Sequence, residues 1–246
     1  MENLTAFVTG ATRGIGRGVA LDLAKAGYDI AFCYRASGEQ ALSLAAEVET
    51  LGRRVLAIKA DLADLEAIPA VFEQISDQFG HLDLLVNNAG MTRDGLLATM
   101  STEDIMAVIG VNLGATLVCC REAVKMMMPR RSGNIINISS ITATKPNKGQ
   151  SNYAASKGGV EAFTRALAVE VARKNIRVNC IAPGLIETDM VTELLAGQAA
   201  EMKKKMLSKR YGRPEDISKA ILYLADQENS FVTGEVIPVN GGMLLL

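Results

Sequence analysis

Short, unbroken apolar runs alternate along the chain with longer stretches in which apolar residues recur every three or four positions. Runs without polar alternation are typical of parallel strands that are covered on both faces, and the longer stretches are typical of amphipathic helices. The strands are predicted at residues 5–8, 30–34, 55–59, 82–86, 135–138, 178–181 and 236–239. The helices are predicted at residues 16–26, 39–51, 66–79, 103–128, 153–174 and 215–225.

This alternation predicts an α/β fold: a Rossmann-type, doubly wound parallel sheet with helices on both faces and right-handed crossovers. No linker or composition shift divides residues 1–246, so we expect a single domain. Ser101, followed by Asp104, resembles a capping box that starts one helix. A long insertion between a strand and a helix, at the edge where such sheets bind ligands, favours a substrate lid at about residues 188–210.

A glycine-rich turn joins the first strand to the first helix. Glycines let the backbone turn sharply and approach a pyrophosphate, whose charge meets the helix N-terminus. The position of this turn predicts a dinucleotide site rather than an ordinary turn. Its candidate residues are Gly10, Thr12, Arg13, Gly14, Ile15 and Gly16.

Residues after the next three strands extend this site. Arg35 follows the second strand, where an acidic residue would favour NAD and an arginine favours the 2′-phosphate of NADP. Arg13 and Arg35 together predict NADPH, the alternative being two solvated surface arginines. Asp61 and Leu62 follow the third strand, where a carboxylate accepts a hydrogen bond from the adenine amino group. Asn88, Ala89 and Gly90 follow the fourth, where small residues let the cofactor approach the backbone.

Tyr153 and Lys157 are four residues apart and therefore share one face of a predicted helix. A neighbouring cation lowers the pKa of a phenol below its ordinary value of ~10, toward the range that general acid–base catalysis requires. A solvated helix face is the alternative for this pair taken alone. Ser140, at the end of an apolar strand, favours the catalytic interpretation.

Composition narrows the function classes. The net charge is −1, with 49% apolar and 22% charged residues, which excludes the basic excess of a general nucleic-acid binder. No apolar run approaches the ~20 residues of a membrane span, and the chain opens without a cationic leader, so we expect a cytoplasmic protein with no membrane association. The four cysteines lack metal-ligand or redox spacing and His81 lies in a predicted loop, so we expect no metal site and no role for His81.

Together these motifs resemble the short-chain dehydrogenase/reductase family over essentially the whole chain. The resemblance implies a catalytic tetrad of Asn112, Ser140, Tyr153 and Lys157, in which Asn112 holds an ordered water near the lysine. It also adds residues of the Pro-Gly loop after the sixth strand to the cofactor site, namely Pro183, Gly184, Ile186 and Thr188.

Further motifs are similar to the branch of the family that reduces 3-oxoacyl thioesters on acyl carrier protein. They are found at residues 88–94, at residues 149–153 and in the Asn-Gly-Gly-Met ending at residues 240–243. This branch implies homotetramers, NADPH-dependent reduction in fatty-acid biosynthesis, and acyl carrier protein as partner. Ala143, Pro146, Lys148 and Leu207 depart from its usual pattern. A reductase of acetoacetyl-CoA or another small ketone, and a non-enzymatic NADP-binding regulatory protein, stay as alternatives.

Overall fold

The computed structural model describes residues 3–188 and 206–245. Seven parallel strands form one sheet in the order β3-β2-β1-β4-β5-β6-β7, which confirms the predicted fold class. The strands are β1 Thr5–Thr9, β2 Asp29–Tyr34, β3 Val55–Lys59, β4 Leu84–Asn87, β5 Gly133–Ile138, β6 Ile176–Pro183 and β7 Val236–Val239. The helices are α1 Gly14–Lys25, α2 Gly38–Thr50, α3 Ile68–Phe79, α4 Thr102–Ile109, α5 Ala115–Arg130, α6 Ser151–Val171 and α7 Pro214–Ala225.

The strand order reverses at β1, whose two neighbours in the sheet are β2 and β4. Val8 of β1 is in register with Phe32 on one side and with Val86 on the other. The chain leaves these strands in opposite directions, so a crevice opens beyond their carboxyl ends. Open α/β sheets bind ligands at this position.

The core lies in two layers, one on each face of the sheet. Ala6 and Val8 of β1 pack with α1, α2 and α7, whereas Phe7 packs with α3 and α5. Phe7 also meets Phe72 of α3 edge to face, with ring centroids 5.3 Å apart. Because both faces are covered, both side-chain sets of a strand are apolar, which explains the unbroken runs in the sequence.

The predicted long helix at residues 103–128 is correct in position but not in form. It consists of α4, a π-helical turn at Gly110–Gly114, and α5. The predicted cap is confirmed, because the Ser101 side chain accepts a hydrogen bond from the Asp104 backbone N–H at 3.0 Å.

The same helical run corrects one expectation. Thr102–Arg130 spans 29 residues, with a mean hydropathy of 1.5 in its most apolar window, so by length and composition it is long enough and apolar enough to cross a membrane. In the fold one side of this run packs in the core, where Cys120, Ala123 and Met127 are fully buried against the sheet, and 33% of its most apolar window is buried.

Several polar residues have structural roles. Asp29 is 1% exposed in its side chain and pairs with Arg53 and Arg54 at the amino end of β2, away from the crevice. His81 is buried beside Asp83 and Thr5. All four cysteines are buried and free.

Most of the predicted lid lies outside the described residues. The chain segments on either side of the lid are joined, because Glu187 donates its backbone N–H to the Gly212 carbonyl at 2.7 Å. Movement of the lid therefore stays a prediction.

Candidate active site

The turn between β1 and α1 is closed by glycines. Gly10 and Gly14 have φ angles of 64° and 55°, in the left-handed region that disfavours larger residues. A Cβ at Gly16 would lie 2.4 Å from the Gly10 carbonyl oxygen and 2.5 Å from Nδ2 of Asn88. Because the glycines have no side chains, a group that lies over the helix N-terminus can approach the backbone of this turn closely, as a pyrophosphate requires.

The loop after β4 is fastened to this turn. Thr9 Oγ1 accepts hydrogen bonds from the backbone N–H groups of Asn88 and Ala89, at 3.0 Å and 2.9 Å. Asn88 Nδ2 donates to the carbonyls of Thr9 and Gly10. Sequence reasoning missed Thr9; a hydroxyl at the last position of a buried strand is the signal that could have found it.

Ser140, Tyr153 and Lys157 come together at the carboxyl end of β5. Lys157, on α6, is 4% exposed and donates a hydrogen bond from Nζ to the Ile138 carbonyl at 2.8 Å. Its Nζ lies 5.8 Å from the centroid of the Tyr153 ring. Ser140 caps the short turn Ile141–Ala143, and its hydroxyl is near enough to the Tyr153 phenol to affect the pKa of that phenol. A hydroxyl, a phenol and an ammonium thus share one site.

The pKa values in this geometry differ from the sequence expectation. Burial lowers the pKa of Lys157 to about 8. Burial also raises the pKa of Tyr153, and the Ser140 hydroxyl acts in the opposite direction. Lowering of the phenol pKa by Lys157 is therefore not seen in this arrangement, in which desolvation is the largest effect on Tyr153.

Asn112 lies behind this group, in the π-helical turn, and is fully buried. Its Nδ2 donates to the Met91 carbonyl and to Ser156 Oγ, both at 3.0 Å, and its Oδ1 accepts from the Met91 N–H at 2.8 Å. The Asn112 side chain therefore holds the loop after β4. π-Helical turns occur often at functional sites, in keeping with this position.

A cavity of about 460 Å³ runs over these segments. It is lined by the predicted residues Gly10, Thr12, Arg13, Gly14, Ile15, Arg35, Asp61, Leu62, Asn88, Ala89, Gly90, Ser140, Tyr153, Lys157, Pro183, Gly184, Ile186 and Thr188. Gly16 and Asn112 support it from behind. Lining residues that sequence reasoning missed are Cys33, Tyr34, Ala36, Ser37, Ala60, Met91, Thr92, Val111, Ile138 and Ser139.

One end of the cavity is cationic. Arg13, in the glycine turn, and Arg35, which follows β2, are both exposed there. The neighbouring Ser37 precedes α2, and its side chain makes no cap hydrogen bond within that helix. Two guanidinium groups, a hydroxyl and a helix N-terminus form a surface that suits a phosphate group.

The residues fit a dinucleotide from end to end. The cationic end suits a phosphorylated ribose, the glycine turn suits a pyrophosphate, and Tyr153 with Lys157 stands at the opposite end. Thr188, from the loop after β6, reaches across the turn: its Cγ2 would be 3.1 Å from a Cβ at Gly14. The fold and the site together define a dinucleotide-dependent oxidoreductase.

Comparisons with known proteins agree with this class. A family model described as enoyl-(acyl carrier protein) reductase matches residues 10–244. The chain belongs to this family, which is part of the short-chain dehydrogenases/reductases, and it is therefore an oxidoreductase with a nicotinamide cofactor.

Similar proteins cover nearly the whole chain. A protein of Staphylococcus aureus is 42% identical over 245 residues, covering 98% of both chains, and one of Chlamydia trachomatis is 42% identical over 244 residues, covering 99% of this chain and 98% of that one. Both are named 3-oxoacyl-acyl-carrier-protein reductase. A crystal structure described as a candidate short-chain alcohol dehydrogenase from Sinorhizobium meliloti has a TM-score of 0.95 at 34% identity, and covers 100% of this chain and 98% of that one.

Proposed function

We propose that this protein reduces 3-oxoacyl thioesters, carried on acyl carrier protein, to 3-hydroxyacyl thioesters in fatty-acid biosynthesis, with NADPH as reductant. The observation that carries the proposal is the meeting of Ser140, Tyr153 and Lys157 at one end of a dinucleotide-shaped cavity. Relatives 39–42% identical over nearly the full chain are named for this reaction. A cytoplasmic location is consistent with that biosynthetic role.

The proposed chemistry uses two hydroxyl groups. When bound, the reduced nicotinamide supplies a hydride to the C3 carbonyl carbon, and negative charge develops on the carbonyl oxygen. Ser140 Oγ donates a hydrogen bond to this oxygen, and Tyr153 transfers its phenolic proton to it. The raised pKa of Tyr153 keeps the phenol protonated at neutral pH, as a general acid requires.

Lys157 and Asn112 act behind the phenol. In this proposal the Lys157 ammonium stabilises the phenolate left after proton transfer and binds the hydroxyls of the nicotinamide ribose. Asn112, in the π-helical turn, holds a water through which the proton is replaced from solvent. The hydrogen bonds of the Asn112 side chain to Met91 keep that turn in place.

NADPH preference is supported by the cationic end of the cavity. Arg13 and Arg35 flank the position beyond β2 where a dinucleotide carries its 2′-substituent, and Ser37 lines the cavity there. The carboxylate of Glu39 belongs to a second pocket that shares Arg13 and does not line this cavity. Asp61 is exposed after β3 and faces the adenine end. A 2′-phosphate therefore gains two charge-assisted contacts that a hydroxyl does not.

Assembly is proposed from exposed apolar side chains on three neighbouring helices. Met106 of α4, Leu117 of α5 and Val169 of α6 are 60%, 38% and 81% exposed. Large apolar side chains that are left exposed in this way are often covered by an interface. We infer that these helices pair two copies, as in the homotetramers of the family branch that the sequence resembles.

Partner docking is proposed at the C-terminal ends of α5 and α6. Arg131 donates a hydrogen bond from Nη2 to the Arg173 carbonyl at 2.8 Å, so the two helix ends form one basic patch with Lys174 and Arg130. Acyl carrier protein is acidic, and complementary charge favours encounter. Cations at helix C-termini, stabilised by the helix dipole alone, are the competing explanation.

A substrate panel tests the proposed function. The purified protein is assayed with NADPH and four substrates: a 3-oxoacyl thioester on acyl carrier protein, the same group on CoA, a trans-2-enoyl thioester and a small free ketone. We expect the highest kcat/KM for the carrier-bound 3-oxoacyl group. Preference for the enoyl thioester would instead favour the reaction in the family description, and preference for the CoA ester or free ketone would favour a small-ketone reductase.

A further inference from the structure

The C-terminal tail, residues 240–245, connects segments that surround the reaction end of the cavity. A Cβ at Gly184 would lie 2.8 Å from the Cα of Asn240, so the loop after β6 and the tail are in backbone contact. The Gly241 carbonyl accepts a hydrogen bond from the Ser208 N–H at 3.0 Å. The tail is thus fastened both to the cofactor-side loop and to the described end of the insertion.

A third contact reaches the loop that carries Ser140. Met243 is 8% exposed and packs in an apolar cluster with Ile141, the residue that follows Ser140. Lys145, four residues further along that loop, donates a hydrogen bond from Nζ to the Met243 carbonyl at 3.0 Å. We call Ile141, Lys145 and Met243 the tail clasp.

The orientation of Ser140 depends on the turn that the tail clasp holds. Ser140 Oγ accepts a hydrogen bond from the Thr142 N–H at 3.1 Å and lies 3.2 Å from Thr142 Oγ1. The backbone N–H of Lys145 donates to the Ile141 carbonyl at 2.7 Å, so Lys145 belongs to the same compact turn. A shift of this turn away from the tail therefore moves the Ser140 hydroxyl.

We propose that Lys145 and Met243 are positioning residues, which hold the Ser140 hydroxyl where charge develops on the carbonyl oxygen. This inference rests on the proposed carbonyl reduction. At Ala143 the sequence of the Ser140 loop differs from that of the family branch that the chain resembles. In this protein the contact with the tail holds the loop in one position, as catalysis requires. To donate a hydrogen bond to the carbonyl oxygen in the transition state, the Ser140 hydroxyl must be held in position to within a fraction of an ångström.

Single variants give the first test. Lys145→Met keeps the aliphatic stem and removes the donor, and Met243→Ala removes the packing. Because misplacement by ~1 Å costs up to ~10²-fold, we expect kcat for a 3-oxoacyl thioester to fall by about 10-fold in each. NADPH affinity, measured by nicotinamide fluorescence, should stay within about 2-fold, because none of the three clasp residues lines the cavity. Lys145→Arg should restore kcat, and Lys148→Met, an exposed lysine of the same loop, is the matched control.

A double-mutant cycle with Ser140→Ala separates positioning from general damage. If the clasp acts through Ser140, Lys145→Met and Met243→Ala should lower kcat by less than about 2-fold in the Ser140→Ala background. Equal fold losses in both backgrounds would overturn the proposal, as would native kcat in both single variants or a parallel loss of NADPH binding. A parent protein that does not reduce 3-oxoacyl thioesters would instead refute the proposed function.

Discussion

Lys157 should reduce the stability of the cofactor-free protein at neutral pH, and this cost should vanish at high pH. Its ammonium is buried beneath the cavity with the Ile138 carbonyl as acceptor, and burial lowers its pKa from 10.5 to about 8. Between these values, the unfolded chain still binds a proton that the folded chain has released. Since the unfolded state then binds more protons, the free energy of unfolding rises with pH across this window.

The size of the effect follows from the pKa shift. At ~1.4 kcal/mol per pKa unit, the shift corresponds to about 3 kcal/mol over the full window, and to about 2 kcal/mol between about pH 7 and pH 9.5. Lys157→Met keeps a side chain of similar length but does not titrate. The unfolding free energy of the parent, minus that of the variant, should therefore increase by about 2 kcal/mol over this pH range.

Urea denaturation followed by circular dichroism, without cofactor and at a series of pH values, measures this difference. Taking the difference removes the contributions of other titrating groups that the two proteins share. Lys148→Met is the control, because it removes an exposed lysine instead of a buried one. If the unfolding free energy of the parent minus that of Lys157→Met stayed constant or fell as the pH rises, burial would not have lowered the pKa of Lys157.

Three further predictions concern binding. Arg35→Asp should raise KM for NADPH by about 10-fold and narrow the preference over NADH, as steady-state assays with both cofactors would reveal; equal kcat/KM for the two in the parent would reject the phosphate site. Gly16→Ala should weaken NADPH binding by at least about 10-fold in fluorescence titration, because its Cβ meets the Gly10 carbonyl at 2.4 Å; unchanged affinity would contradict the close approach. Arg173→Glu combined with Lys174→Glu should lower kcat/KM for carrier-bound substrate by about 10-fold at low salt and spare a CoA thioester, whereas equal losses on both would indicate damage rather than lost docking.

The fold was predictable because the two sequence patterns that indicate it, unbroken apolar runs and apolar residues at helical spacing, are both local. Unbroken apolar runs such as that around Phe7 identify strands covered on both faces, and each of the seven predicted strands has its counterpart in the sheet. The π-helical turn around Asn112 was not predictable, because it depends on hydrogen bonds between Asn112 and the Met91 backbone, 21 residues away. A helical period in the sequence contains no sign of such a distant partner.

The site was predictable where one residue type is required by chemistry or backbone geometry. Gly10 and Gly14 carry positive φ angles, and Tyr153 with Lys157 follows from helical spacing. Val111 lines the cavity only because loops from separate strands meet there. The raised pKa of Tyr153 likewise depends on burial, which a pattern of residue types does not determine.

The C-terminal tail illustrates the same limit. The chain ends in Met243 and three leucines, an apolar sequence that fits burial either between subunits or in the chain's own core. In the structure Met243 packs within its own chain, beside Ile141, whereas Leu245 is 78% exposed. Which of these two positions is buried depends on the turn at Gly241 and Gly242, whose φ angles are 60° and 79°.

The proton transfer assigned to Tyr153 is the central claim, and Tyr153→Phe tests it most directly. The substitution keeps the ring and removes the transferable proton, so kcat for a 3-oxoacyl thioester should fall by about 10²–10⁴-fold or more while NADPH affinity is retained. Single-turnover reduction by the variant, measured with NADPH prebound, separates chemistry from binding. A variant that binds NADPH and keeps the turnover of the parent would contradict the account.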